Sequence, residues 1–399
     1  MEGKRVLKSL RLRNTLSFGG EAPEVELGPL NVLIGPNGSG KSNVLEALNL
    51  LHCLPRDIAA AVQESGGIDG WIRKGTRRIL AEIDTAWEYE PGQFPLRHMI
   101  YLLSEGYRIK VALEVISQSG IRDGTGIHDE HYRYSPAAAP GHQGPAYYDF
   151  ADHVKVAVDS GAFQDDVSIL AQRWDAKRSP GLAFLEDRFK QILLYRDWIT
   201  GPKAPIRAAQ SASLPGDFLR EDYTNLGLIL HGLMNDRETR RTILDALGRL
   251  YEGATDIRIK IVSGFVELNV EEEEGRLIPA SRLSDGTLRF LCLLAILCHP
   301  SPPPLIGIEE PELGLHPDVI RTVAGLLIAA SERTQLIVTT HSESLVSALS
   351  ETPEAVIVCE KRGDSSELRR LDPERLEKWL EDYSLGELWL NGEIGGTRW

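Results

Sequence analysis

A chain of 399 residues with 42% hydrophobic content can bury a sizeable core, as one large domain with an insertion or as two domains. Its formal net charge of −14 excludes a surface that is basic all over, but not a local basic groove. The longest apolar run, Phe290 to Cys298, is far too short for a membrane span and ends in His299-Pro300. Met1 to Arg5 show no apolar signal region, so a cytoplasmic protein without a membrane partner is expected. Cys53, Cys292, Cys298 and Cys359 lie in apolar stretches without metal-ligand spacing and read as buried, reduced thiols.

In chain order, Val6, Leu10 and Leu12 alternate with polar positions and predict a strand. A second strand, Leu30 to Ile34, runs directly into a glycine-rich loop. From Ser42, residues Val44, Leu45, Leu48 and Leu51 fall at helical spacing, and Pro55 closes the segment. Arg78 to Glu88 and Tyr107 to Ile116 read as strands of an antiparallel meander, with turn chemistry at Pro91, Gly92 and Pro95. Gly120 to Gly144 reads as a loop or a flexible hairpin end.

Asp165 to Leu250 reads as mostly helical, broken around Pro202 to Pro215, and Ile257 to Ile261 and Phe265 to Val270 return to the period of strands. The run Glu271 to Glu274 before Gly275 reads as a solvated hairpin tip. Two strand–helix units follow, Leu305 to Ser331 and Gln335 to Leu349, then a final strand Ala355 to Cys359. Asp372-Pro373 is a good helix start, with a capping side chain and proline at the first turn. This order implies a parallel α/β sheet interrupted by an insertion, whose halves must meet for the motifs to form one site.

Gly35-Pro36-Asn37-Gly38-Ser39-Gly40-Lys41-Ser42 is a complete phosphate-binding loop between a strand and an amphipathic helix. Its glycines let backbone N–H groups converge on phosphates, and the helix adds its positive dipole end. Lys41 would reach the β- and γ-phosphates of ATP and Ser42 would ligate Mg²⁺, with Asn43 beside them. The apolar strand Leu305 to Ile308 ends in Glu309-Glu310. That arrangement assigns Glu309, with Ser42, to the metal and Glu310 to the attacking water as general base. Alone, two acids at a strand end are also a common helix-capping surface.

Leu283-Ser284-Asp285-Gly286-Thr287 precedes an almost wholly apolar helix. Such a start is a second anion site that most simply serves the nucleotide of a partner subunit, though Ser-Asp-Gly is also an ordinary turn and cap. The strand Gln335 to Thr340 delivers His341 to a position where its imidazole could touch the γ-phosphate.

These elements in this order resemble the ATP-binding cassette superfamily. Gly35 to Ser42 matches its Walker A motif, Leu283 to Thr287 its signature, Ile308-Glu309-Glu310 its Walker B and His341 its switch histidine. Glu309-Glu310-Pro311-Glu312 with Leu315-His316-Pro317, and Leu12-Arg13-Asn14 with Ser17-Phe18, are similar to the RecF, SMC and OLD-like branch, closest to its stand-alone "predicted AAA ATPase" group. The likeness covers Lys4 to Leu51 and Ser281 to Cys359 strongly and the middle loosely. Departures are Glu309 where many relatives carry Asp, and Asp285 and Thr287 where transporters carry Gly and Gln. The Q-loop glutamine is not located; Gln93 and Gln118 are the candidates.

The resemblance implies an α/β P-loop NTPase, an ABC-type ATPase head with a mixed sheet, an antiparallel β subdomain and a mostly helical insertion. The expected parts are an N-terminal lobe over 1–118, a loop-rich and helical insertion over 119–256, a C-terminal lobe over 257–365, and a C-terminal helix and tail over 366–399. About sixty residues follow His341, so an appended TOPRIM nuclease domain is not expected, nor is there room for a long coiled coil between Ser42 and Ser284.

The function implied is ATP hydrolysis by a nucleotide-sandwich homodimer. Each site would combine Lys41, Ser42, Glu309, Glu310 and His341 of one subunit with Ser284, Asp285 and Gly286 of the other. DNA repair or anti-phage defence follows from the resemblance, with double-stranded DNA and a separate nuclease or effector subunit as partners. The alternatives are a nucleotide-gated interaction switch with little turnover and the energy subunit of a transporter. Three basic groups could line a DNA groove or form solvated faces: Lys4, Arg5, Lys8, Arg11 and Arg13; Arg73, Lys74, Arg77 and Arg78; and Arg237, Arg240 and Arg241. Arg196-Asp197-Trp198 stands out without a role, and Trp379, Trp389 and Trp399 suggest a packed tail or a partner surface.

Overall fold

A computed structural model describes residues 3–64, 66–72, 80–89, 94–106, 108–122, 125–134, 146–149, 154–157, 164–172, 177 and 179–396. The chain divides into two compact units. The N-terminal unit holds residues 5–192, 357–371 and 395–399; the C-terminal unit holds 1–4, 193–356 and 372–394.

The N-terminal unit opens with β1 (Leu7–Arg13), β2 (Val25–Glu26) and β3 (Leu30–Ile34), followed by α1 (Lys41–Cys53), α2 (Ile58–Glu64) and α3 (Ile68–Trp71). All five residues of β3 are buried, as expected for a strand covered on both faces. Helix α1 buries Val44, Leu45, Leu48 and Leu51, the stripe read from the sequence, and stops just before Pro55. Next come β4 (Ala81–Trp87), β5 (Leu96–Glu105), β6 (Arg108–Arg122), β7 (Thr125–Tyr134), β8 (Ala146–Asp149) and β9 (Val154–Ala157), then α4 (Pro180–Lys190). Strands β1, β2 and β4 to β9 form one sheet in the order β2-β1-β4-β5-β6-β7-β8-β9, and the pairings between neighbours are antiparallel.

Every residue of β4 is buried, including Glu82 and Asp84. Buried carboxylates require partners. Arg11 on β1 lies 3.0 Å from Glu82 and 2.5 Å from Asp84, and Arg97 on β5 lies 2.7 Å from Asp84. Lys8 sits 3.6 Å from Glu88. Lys8 and Arg11 are therefore ion-paired inside the unit, and Arg5 and Arg13 donate to the Lys8 and Ala22 carbonyls, while Arg73, Lys74, Arg77 and Arg78 lie outside the described residues.

Strand β5 was not anticipated; over 120–144, read as a loop or a hairpin end, β6 and β7 form a hairpin that pairs down to Arg122↔Thr125, with 123–124 and 135–144 outside the described residues. The reason is physical. Backbone pairing of β6 with β7 from Glu114↔Tyr134 to Arg122↔Thr125 supplies hydrogen bonds that a glycine-rich composition does not advertise.

The C-terminal unit follows β10 (Ile192–Tyr195), whose first residue lies in the other unit, with β11 (Gln210–Ser211), α5 (Leu226–Asn235), α6 (Arg237–Leu250), β12 (Ala254–Val262), β13 (Phe265–Glu272) and β14 (Leu277–Pro279). Strands β12 and β13 turn at Ser263 and Gly264, both at positive φ, the conformation a two-residue hairpin needs. The acidic run is only partly a solvated tip: Glu271 pairs with Arg258, and Glu272 accepts from Arg276 and Tyr251. Arg240 of the third basic group pairs with Asp256 at 2.7 Å.

Helix α7 (Asp285–Leu297) is buried from Thr287 to Leu297, as a helix apolar on all sides must be. Then β15 (Leu305–Glu309), α8 (Pro317–Ser331), β16 (Gln335–Thr339) and α9 (Glu343–Ser347) form two strand–helix units. Strands β15 and β16 pair in parallel from Leu305↔Gln335 to Glu309↔Thr339, with β10 on the other side of β15. Back in the N-terminal unit, β17 (Val356–Arg362) lies beside β3 and pairs antiparallel with β18 (Ser365–Arg370), a strand beyond the one expected to be last.

The C-terminal unit ends with α10 (Pro373–Leu380), capped by Asp372 as anticipated, and α11 (Leu385–Leu390). Trp389 is buried and Trp379 is exposed, so the two described tail tryptophans divide between packing and surface; Trp399 lies outside the described residues. Cys292, Cys298 and Cys359 are buried, whereas Cys53 is only half-buried. Burial pushes the Cys298 thiol up to about 11 and Cys359 to about 12, which keeps both protonated and unreactive. Among the described residues no helix is long and apolar enough to cross a membrane.

Candidate nucleotide-binding site

The glycine-rich loop belongs to the N-terminal unit. Gly35, Gly38 and Gly40 have φ of 146°, 75° and 109°, values that side chains disfavour. At Gly35 a Cβ would lie 2.1 Å from the Cys359 carbonyl oxygen; at Gly40 it would lie 2.8 Å from Ser366 Oγ and 2.9 Å from Ser17 Oγ. The loop therefore cannot carry larger residues at these points. Its helix end is braced by Ser366 Oγ donating to Ser17 Oγ at 2.6 Å and by Asn43 Nδ2 donating to the same oxygen at 2.7 Å. Asn43 thus faces the brace, and Ser17 and Ser366 are site-shaping residues that sequence spacing could not pair.

Lys41 is 5% exposed, and its ammonium donates to the carbonyls of Gly35 at 2.8 Å and Pro36 at 3.1 Å. Ser39 Oγ is buried without a hydrogen-bond partner. Asn37, Gly38 and Ser42 are exposed at the mouth of the loop. A cradle of glycines with a lysine folded over it and an unsatisfied hydroxyl is suited to phosphate oxygens.

The acids, the signature and His341 belong to the C-terminal unit. Glu309 is the last residue of β15, and Glu310 follows with φ 46°, a strained value for a residue with a side chain. The Glu310 N–H donates to the Thr339 carbonyl at 3.0 Å, which holds the strained residue at the end of the ladder. Its Oε1 lies 3.7 Å from His341 Nε2. Both side chains are about one-third exposed, at 35% and 37%, so the pair is open to solvent.

Glu312, two residues on, carries the loop that presents the histidine. Its Oε1 accepts from Thr340 Oγ1 at 2.6 Å and from the His341 N–H at 3.0 Å, while Oε2 is buried without a partner. Burial raises the Glu312 carboxyl above the usual carboxylate range, and Glu310 adds to the rise. A raised folded-state value means that the wild type is most stable below the unfolded pKa and loses stability as pH climbs through the folded one. Glu312→Gln does not titrate. Its melting temperature relative to wild type is therefore expected to rise as pH climbs from about 4, just below the unfolded carboxyl value, to neutrality; a constant difference across that range would exclude a raised Glu312.

Ser284 caps α7 by accepting from the Thr287 N–H at 3.0 Å, and Ser284 and Asp285 are exposed. Arg207 donates to the Leu283 carbonyl at 2.6 Å and pairs with Asp285, fixing the entry to the helix. A Cβ on Gly286 would lie 2.7 Å from the Gly314 carbonyl oxygen, so the glycine permits close packing on the segment after Glu312.

Neither glutamine candidate can be tied to these groups. Gln118 is buried in β6 and donates to the Phe94 carbonyl at 2.8 Å, while Gln93 lies outside the described residues. The end of β10, beside β15, carries Arg196 instead. Arg196 Nε lies 3.4 Å from Glu309 Oε2, and Trp198 Nε1 donates to the Glu309 carbonyl at 2.7 Å. The signal was an apolar run, Ile192 to Tyr195, ending in a charged residue.

The Ser42 hydroxyl of the N-terminal unit and the Glu309 carboxylate of the C-terminal unit are each hard-oxygen donors of the kind Mg²⁺ takes. Among the described residues no cluster of three or more His, Cys, Asp and Glu is placed to hold a metal.

A family profile described as "AAA domain, putative AbiEii toxin, Type IV TA system" matches residues 30–95 and 145–347, more than half of the chain. The chain belongs to this AAA-domain family. A curated relative of this AAA-domain protein is the "DNA double-strand break repair Rad50 ATPase" of Methanopyrus kandleri (strain AV19), 31% identical over 96 residues. That stretch is 24% of this chain and spans only 10% of the relative.

Among solved structures the AAA-domain protein resembles the SmcHead bound to the C-winged helix domain of ScpA, with a TM-score of 0.57 and 17% identity over 93% of this chain and 99% of that one. It also resembles the Smc head domain with an extended coiled coil bound to the C-terminal domain of ScpA, derived from Pyrococcus furiosus. There the TM-score is 0.55 and identity 16%, over 94% of this chain and 98% of that one. At such identities the likeness shows the fold, an ABC-type head with mixed sheets.

Proposed function

We propose that this AAA-domain protein is an ATPase of the RecF/SMC class that binds MgATP through Gly35 to Asn43 and hydrolyses it in a nucleotide-sandwich homodimer. Lys41 neutralises the β- and γ-phosphates, and the loop N–H groups receive their oxygens. Ser42 and Glu309 would hold the metal, which would withdraw charge from the phosphates. Glu310 accepts a proton from the attacking water, and His341, 3.7 Å from Glu310 Oε1, orients that carboxylate and the γ-phosphate. Ser284, Asp285 and Gly286 address the nucleotide of the partner subunit.

The observation that carries the dimer is the outward-facing start of α7. Ser284 and Asp285 are exposed at the positive end of a 13-residue helix that is buried from Thr287 onward. The names of the relatives support DNA-related work and a separate protein partner, and the family's toxin–antitoxin description supports anti-phage defence. The test is the mass of Glu310→Gln in solution, by light scattering, with and without Mg-ATP. A doubling only with ATP is expected. An unchanged mass, with ATP binding shown separately, would exclude the sandwich.

A further inference from the structure

Glu309 is held at two points by a segment given no role by its sequence. The Trp198 indole N–H donates to the Glu309 carbonyl at 2.7 Å, while Arg196 Nε lies 3.4 Å from its carboxylate. Trp198 itself is rigidly placed. Its ring lies parallel to Tyr223 at 5.8 Å and 11°, Tyr223 stacks on Tyr195 at 6.0 Å, and the Arg289 guanidinium of α7 sits 5.4 Å from the Trp198 ring centroid. Tyr195 is anchored by its hydroxyl donating to the Leu219 carbonyl at 2.5 Å. Trp198 therefore fixes the backbone of Glu309, whereas Arg196, with its side chain 31% exposed, has room to swing.

We infer that Arg196 is a built-in counter-ion for Glu309, occupying its carboxylate until a divalent metal displaces the guanidinium. This rests on the proposal that Glu309 is the metal-side carboxylate. The chemistry follows from charge. An arginine stays protonated at every accessible pH, so it neutralises the carboxylate without taking up or releasing a proton. A divalent ion and a guanidinium on the same carboxylate repel one another, so the metal binds only as Arg196 leaves. A half-exposed ion pair adds little to stability, so stability alone gives no reason for the pair. Arg196 is thus a positioning residue that sets how tightly Glu309 takes a metal, and Trp198 keeps the carboxylate in place during the exchange.

The experiment is Mn²⁺ binding to the full-length chain with ADP, read by electron paramagnetic resonance of the free ion. Wild type is compared with Arg196→Gln, Arg196→Lys and Glu309→Gln. Arg196→Gln is expected to tighten Mn²⁺ binding by about five-fold or more, in the range of ordinary coupling between interacting ligands. Arg196→Lys, which restores the charge, should return the affinity toward wild type. A merely structural arginine would leave the affinity unchanged or lower it. That result, with Glu309→Gln weakening Mn²⁺, would overturn the counter-ion alone. If Glu309→Gln leaves Mn²⁺ binding unaltered, the assignment of Glu309 to the metal fails instead. Trp198→Phe, which removes the indole N–H and shortens the ring that stacks on Tyr223, should shift Mn²⁺ affinity without changing the effect of Arg196→Gln; loss of that effect would overturn the separate roles.

Discussion

Lys41→Ala is expected to abolish measurable ATP binding, with affinity lowered about a hundred-fold or more, as loss of two charge-assisted hydrogen bonds predicts. The lysine is 5% exposed and already folded over the loop, donating to Gly35 and Pro36. It therefore needs little reorganisation to exchange two carbonyls for phosphate oxygens. Without it, the glycine cradle retains its N–H groups but faces the charge of a triphosphate with only a helix dipole. Titration calorimetry with ATP measures the effect, and a melting curve shows that the fold survives. An affinity within a few-fold of wild type would remove Gly35 to Ser42 from the nucleotide site.

Glu310→Gln is expected to lower steady-state ATP hydrolysis by roughly a hundred- to ten-thousand-fold, the usual range for removing a general base, while ATP affinity changes little. Glutamine keeps the shape of the side chain and the strained backbone at φ 46°, so the loop geometry should persist. What is lost is the carboxylate that faces His341 at 3.7 Å. Phosphate release measures turnover, and retention of radiolabelled ATP after rapid desalting measures trapping. Turnover unaltered in this variant would exclude Glu310 as the base and direct attention to Glu312 or His341.

Much of the local geometry at these motifs was legible because each motif is local. Gly35 to Ser42 bends on its own glycines, Leu305 to Glu309 is one continuous apolar strand, and Ser284 caps the helix it precedes. Strands with mixed faces were harder. β5 carries Arg97 and His98 among apolar residues and β18 is largely polar, so neither shows the pattern of a core strand. Their partners supply what their composition lacks. β5 pairs with β4 and β6, and β18 pairs with β17.

By itself, then, the sequence determined the glycine-rich loop, the paired acids at the end of β15, the capped start of α7 and the order of the strand–helix units. Each is specified by neighbours a few residues apart, through backbone conformation, periodicity or capping. Only the tertiary structure decided that Ser17 and Ser366 brace Gly40, that Glu312 carries the His341 loop, and that Arg196 and Trp198 hold Glu309. Those partners are brought together by sheet pairing and aromatic stacking across long stretches of chain. A charge or an indole in sequence carries no record of which distant carbonyl or carboxylate it will meet, and packing alone selects it.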